Sequence, residues 1–132
     1  MATFHFALVS PEQVLFSGEV EQVDLPGSEG EFGVLAGHAP LVASLRPGVL
    51  KILGPGEPQR IMVLGGFAEV GPDGLTVLAD TAVPVEEVDP SVIAGEIKNT
   101  EEDIADAKSD RERDKLRQKV EQLRAVQAVL GQ

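Results

Sequence analysis

Cysteine is absent from this 132-residue chain, which excludes disulfides and cysteine-ligated zinc at once. Imidazole is nearly absent too: His5 and His38 are the only two histidines, so a metal has little to bind and no metal or other cofactor is expected. Positive charge is scarce. With 11 Lys and Arg against 22 Asp and Glu, the net charge of -11 repels nucleic-acid phosphates and anionic lipid headgroups. The cations of the amino-terminal part, Arg46, Lys51 and Arg60, form no cluster, so neither nucleic-acid binding nor direct membrane insertion is expected. No segment approaches the roughly 20 apolar residues that span a bilayer, and the opening MATFHFALVS lacks the basic start and long apolar stretch of a signal peptide. These absences point to a soluble chain in a reducing, cytoplasmic setting. Two catalytic signatures are missing as well, since there is no GxxxxGK[ST] loop and no serine in a nucleophile-elbow pattern.

What is present divides in two. All but Gly95 and Gly131 of the 14 glycines, and all but Pro90 of the nine prolines, precede residue 85, where apolar residues recur in short runs. Phe4, Phe6 and Leu8 alternate with Thr3, His5 and Ala7, and Val23 and Leu25 flank Asp24, as in strands with one buried face. Ile61 to Leu64 is continuously apolar and suits the middle of a core. Turns are expected at Arg46-Pro47-Gly48, at Gly54-Pro55-Gly56, and at Gly71-Pro72-Asp73-Gly74, the last a hairpin tip. Strands this short and this regularly spaced predict an antiparallel β-sandwich or flattened barrel over residues 1–84, and the sandwich is the preferred reading.

From Val85 the grammar becomes helical. Asp89 before Pro90 is a helix start, because the carboxylate accepts from orphan backbone donors and proline is tolerated at the first helical position. Ile93, Ile97, Ile104 and Ala107 then share one face. Ser109 with Glu112 writes a second start, a capping box, and Leu116, Val120, Leu123, Val126 and Leu130 follow as a stripe. At about 100° per residue the first stripe stays within about 40° of Ile93, whereas the second would be centred near about 120° in an unbroken helix. The apolar face does not carry across, and Lys108 to Lys115 are all polar. The prediction is therefore an antiparallel helical hairpin over residues 85–132, folded against the sandwich and only marginally held, giving an α+β chain.

Chemistry-bearing residues are few. Glu86, Glu87 and Asp89 have the composition of an acid/base pair, as in a small hydrolase, but read more simply as a solvated joint and a helix cap. His38 stands between Gly37 and Ala39 with no nucleophile to activate, and reads as a turn or interface residue; His5 reads as an outward strand position. The most informative stretch is GSEGEFGVLAGHAPLVASLRPG, Gly27 to Gly48, in which five glycines and two prolines turn the backbone repeatedly and present Ser28, Glu29 and Glu31 at a tip. Such a segment serves docking better than chemistry.

That stretch, with VSPEQVLFSGEVEQV from Val9 to Val23 and LTVLADTAV from Leu75 to Val83, resembles the epsilon subunit of the bacterial F-type ATP synthase, homologue of the mitochondrial delta subunit. The resemblance covers nearly all of the amino-terminal two thirds, in the family's order and spacing. It implies a non-catalytic central-stalk subunit, peripheral on the cytoplasmic face of the bacterial plasma membrane, that couples the catalytic head to the proton-driven c-ring. Its partners are then the gamma subunit and the c-ring, with Ser28 and Glu31 matching positions that face the c-ring and Ser10 and His38 matching positions that face gamma. In some relatives the hairpin opens and its basic residues meet the alpha and beta catalytic subunits to block ATP hydrolysis. Here those residues are Arg111, Arg113, Lys115, Arg117, Lys119 and Arg124, which otherwise read as a solvated helix face with pairs such as Arg117 and Glu121. Other relatives bind ATP on the hairpin. The matching stretch, Val88 to Ile93, keeps Asp89 but has Val92 where the arginine would stand, so an ATP-sensing regulator is the alternative and Asp89 a doubtful nucleotide site. A free-standing adaptor is the remaining reading.

Overall fold

The computed structural model describes residues 2–130, and along its first strands every second side chain goes inside. Phe6 and Leu8 are fully buried on β1 (Phe4–Val9), while His5 faces out. The strands that follow are β2 (Val14–Val20), β3 (Gln22–Gly27), β4 (Gly30–Leu35), β5 (Leu41–Leu53), β6 (Gln59–Gly71), β7 (Gly74–Ala79) and β8 (Ala82–Pro84). They bond in the order β2-β1-β7-β6-β5-β3-β4, with β8 beside β6. Pairs are antiparallel except β1 with β7, which run parallel.

The sandwich forms because β5 and β6, at 13 residues each, are long enough to serve in both layers. The first half of β5 and second half of β6 continue into β7, β1 and β2; their other halves continue into β3, β4 and β8. The changeover lies where Leu45 faces Gly66 and Pro47 faces Leu64. Gly65 and Gly66 there have φ of 112° and 130°, values that L side chains rarely adopt, and a Cβ on Gly66 would collide with the Leu78 carbonyl. Proline fits opposite them because the ladder is interrupted at the bend and its missing N–H is not needed. Arg46-Pro47-Gly48 is thus not the turn expected from sequence: it is a bend inside a continuous strand. The other two turns fall as expected, with Pro72 and Asp73 forming the tip between β6 and β7. Between the layers lie Phe6, Leu8, Val23, Leu25, Leu50, Ile61, Val63, Leu75 and Val77, joined by half-buried Phe16, whose ring centroid is 5.5 Å from that of Phe6.

The chain divides into two compact units, one up to Val85 and one from Glu86. The second begins in a short 3-10 turn, Val85–Glu87, that straddles the boundary, and contains α1 (Pro90–Asp106) and α2 (Asp110–Leu130). Asp89 caps α1 by accepting the Ser91 N–H at 2.9 Å, with Pro90 in the first turn as expected. The helix stops at Ala107, whose backbone turns extended at φ -64° and ψ 139°. Ser109 Oγ accepts the Glu112 N–H at 3.1 Å, and Glu112 reaches back to the N–H of Lys108 at 3.4 Å, one residue beyond the usual partner of a capping box. Ile93, Ile97 and Thr100 are buried on α1, Ala107 at its C-cap, and Val120, Leu123 and Val126 on α2. Thr100 is the polar member of that set; its hydroxyl donates to the Glu96 carbonyl at 2.7 Å and so enters without an unmet hydrogen bond.

Candidate functional site

The glycine-rich stretch builds a braced hairpin tip. Gly27 pairs with Gly30, whose φ is 140°, leaving Ser28 and Glu29 as the two turn residues. The Ser28 N–H donates to the Ser44 carbonyl at 2.9 Å, and Arg46 Nε donates to the Gly27 carbonyl at 3.2 Å, so β5 holds the tip from two points. Arg46 also reaches Glu31, Nη2 to Oε1 at 3.9 Å. Glu31 belongs to β4 rather than to the turn, opposite Pro26, and is exposed like Ser28. Beside the tip, exposed Leu41 and Val42 help to line a groove of about 420 Å³. Backbone immobilised in advance suits docking, because binding then orders little further.

Ser10 and His38 are not brought together. Ser10 sits in the tight link from β1 to β2, where its N–H and carbonyl exchange hydrogen bonds with Gln13 at 2.9 and 3.3 Å. His38 follows β4, its N–H donating to the Leu35 carbonyl at 3.1 Å and its Nδ1 lying 2.7 Å from the Ala39 carbonyl. A carbonyl only accepts, so Nδ1 carries the hydrogen in this contact. His38 lines a cleft of about 450 Å³ with His5, Glu19, Asp73 and Gly74, at the first end of β1; Ser10 follows the last. In that cleft His5 lies 3.4 Å from Ser17 Oγ and 3.5 Å from Glu19. The order is that of a hydrolase relay, but the contacts are long and in solvent, and they stitch β1 to β2 rather than polarise a hydroxyl.

The basic residues of α2 do not form one face. At about 100° per residue, Arg111, Lys115 and Lys119 fall on one shoulder of the buried stripe and Arg113, Arg117 and Arg124 on the other. Two of them bridge to α1, Lys119 to Glu96 at 4.0 Å and Arg124 to Glu101 at 3.3 Å. Arg113 closes the corner, bonding Asp110 at 2.6 Å and the Ala107 carbonyl at 3.2 Å, and Arg117 lies 3.9 Å from Asp114 rather than beside the expected Glu121. Arg111 and Lys115 are exposed and make no ion pair among the described residues. Glu86 and Glu87 are exposed on the 3-10 turn. Asp89 is occupied as a cap: chiefly the Ser91 backbone N–H, then its hydroxyl, hold the carboxyl below the usual carboxylate range. Val92 stands exposed in the same first turn, offering nothing to a phosphate. Among the described residues no cluster of His, Asp or Glu is placed to hold a metal, and no helix is long and apolar enough to cross a membrane.

Comparison with known proteins adds to this geometry. Residues 3–85 match the family described as ATP synthase, delta/epsilon chain, beta-sandwich domain. ATP synthase epsilon chain 1 of Nitrobacter hamburgensis is 53% identical over 131 residues, which is 99% of this chain and 96% of the relative. The ATP synthase epsilon chain of Rhodopseudomonas palustris strain BisB5 is 61% identical over 104 residues, 79% of this chain and 77% of that one. Among solved structures, a chain of the Euglena gracilis mitochondrial ATP synthase, OSCP/F1/c-ring in rotational state 1, aligns with a TM-score of 0.78 at 26% identity, covering 98% of this chain and 82% of that one. A chain of the central stalk/c-ring of the Tetrahymena thermophila mitochondrial ATP synthase aligns at a TM-score of 0.57 and 16% identity, over 65% of this chain and 69% of that one, a likeness of fold alone.

Proposed function

The chain belongs to the ATP synthase delta/epsilon family, and from that premise we propose that it is the epsilon subunit of a rotary F-type ATP synthase, a central-stalk part that acts by docking and carries out no chemistry of its own. The sandwich binds the gamma subunit and rests on the c-ring, with the Ser28 and Glu31 tip toward the ring and Ser10 and His38 toward gamma. The subunit lies on the cytoplasmic face of the bacterial membrane, held there by its partners. One observation carries this reading: the exposed tip is fastened to β5 through Gly27 and Ser28, so it meets a neighbour as a rigid part.

Two experiments test it. The full chain, mixed with the gamma subunit and c-ring of the same cell, is expected to co-purify with both; a chain that stays free of both rules the reading out. Glu31→Lys is expected to leave the fold intact and weaken retention on the c-ring, and unchanged coupling in membranes would remove the assignment of Glu31.

The hairpin is the regulatory part in this reading. Its opening parts the apolar seam of Ile93, Ile97, Val120, Leu123 and Val126 and breaks two exposed bridges between the helices, each worth less than about 1 kcal/mol, and so frees Lys119 and Arg124 for acidic surfaces of the alpha and beta subunits. Truncation after Val88 is expected to raise ATP hydrolysis by the assembled head; no change would confine the hairpin to a structural role.

A further inference from the structure

We propose that Lys51 and Arg60, on the outward face of the layer that contains β3 and β4, form a docking surface for an acidic segment of a protein partner. Leu50, Ile52 and Ile61 point into the core, so alternation turns Lys51 and Arg60 outward. The register sets them directly opposite each other on β5 and β6, in a rung that continues to Asp24 on β3 and Gly33 on β4. The sandwich has only three cations, and two of them meet here. The third, Arg46, is taken up by the Gly27 carbonyl and Glu31. Like charges facing each other across a ladder repel, and nothing within the protein relieves this pair. Among the described residues neither side chain makes an ion pair or a hydrogen bond. The one carboxylate of the rung is turned elsewhere. Asp24 accepts from Gln22 Nε2 at 2.7 Å, and its Oδ1 lies 2.9 Å from where a Cβ on Gly33 would stand, so the missing side chain lets it lean over β4.

The surroundings of the pair select the occupant. Arg60 is half-buried and Lys51 exposed, so the first offers carboxylates a planar fork held by its neighbours and the second a mobile ammonium. Half-buried Val49 and Leu53 stand two residues to either side of Lys51 on the same face, giving the charges apolar shoulders. Nucleic acid is disfavoured: its long run of phosphates meets the net charge of -11, and none of the five phenylalanines is on this face to stack a base. A second copy docked by the same face would set cations on cations. The complementary surface is a short protein segment whose Asp or Glu side chains alternate with aliphatic ones. Its carboxylates supply the neutralisation that Asp24 withholds.

The test titrates the full chain with a labelled peptide of alternating Glu and Leu at low and high salt, beside a Gln and Leu peptide and inorganic triphosphate. Wild type is expected to bind the acidic peptide and to bind the neutral one at least about 10-fold more weakly. Lys51→Glu and Arg60→Glu are each expected to cost about 10-fold at low salt, shrinking toward parity at high salt. Asp24→Asn is expected to tighten binding about 2- to 3-fold, a gain that misfolding cannot imitate. Lys98→Glu, the same change of charge at an exposed position of α1, is expected to stay within about 2-fold of wild type. Wild type that ignores the acidic peptide, or holds the neutral one equally well, overturns the proposal. Unchanged affinity in folded Lys51→Glu overturns it, as does an equal loss in Lys98→Glu, which assigns the effect to net charge. Displacement of the peptide by equimolar triphosphate gives the face to phosphate and overturns it too. None of these outcomes touches the stalk reading, which is tested on gamma and the c-ring.

Discussion

Arg46 donates from Nε to the carbonyl of Gly27 across 3.2 Å, tying the bend of β5 to the mouth of the β3–β4 hairpin. Its side chain is 28% exposed, so the bond is partly shielded from water. Arg46→Ala is expected to cost about 1 kcal/mol of global stability. The larger effect falls on the tip: amide exchange at Ser28 to Glu31 should quicken while β1 and β7 stay protected. Unchanged exchange at the tip would show that Ser28 and Ser44 hold it unaided.

Gly66 and Gly74 lie where β6 and β7 approach other main chain too closely for a side chain, against Leu78 and His5 respectively, and both have positive φ. Gly66→Ala and Gly74→Ala are each expected to lose at least about 1–3 kcal/mol, read from the denaturant midpoint. Gly56→Ala, in open space, should be close to neutral.

Asp89 gives the hairpin a pH dependence of known sign. Its carboxyl is held low in the folded chain by Ser91, so the stabilisation is complete above the unfolded carboxylate pKa and is lost as pH falls through the lower folded value. Asp89→Ala should therefore reduce helicity at neutral pH, and the gap from wild type should close in acid. Circular dichroism across that range checks it.

The helical pair is held by its apolar seam, not by its ions. Leu123→Ala, at a position 1% exposed, is expected to cost about 2–4 kcal/mol of hairpin stability, whereas Glu101→Gln should cost less than about 1 kcal/mol and nothing at high salt. Helix-monitored denaturation of both variants separates the two contributions.

Much of this architecture was legible because its causes are local. The phase slip between Ile93 and Val120 required two helices, and Asp89-Pro90 and Ser109 marked their starts within a residue. Pro47 misled because proline beside glycine reads as a reversal; what makes room for it is Gly65 and Gly66, far along the chain on β6. Thr100 was missed because its hydroxyl is satisfied within its own helix. At the site, the glycines announced the tip, but its fastening by Arg46, 19 residues away, belongs to tertiary structure. Lys51 and Arg60 form no cluster in sequence and become a facing pair only once the register aligns them.

Because β5 and β6 pass through both layers, the halves of the sandwich are joined by unbroken peptide as well as by oily contact between them. A sideways push on one sheet is resisted by covalent bonds at Pro47 and Gly65, which do not creep. For a part of a rotary central stalk, that makes the body stiff against shear without requiring it to be unusually stable against unfolding.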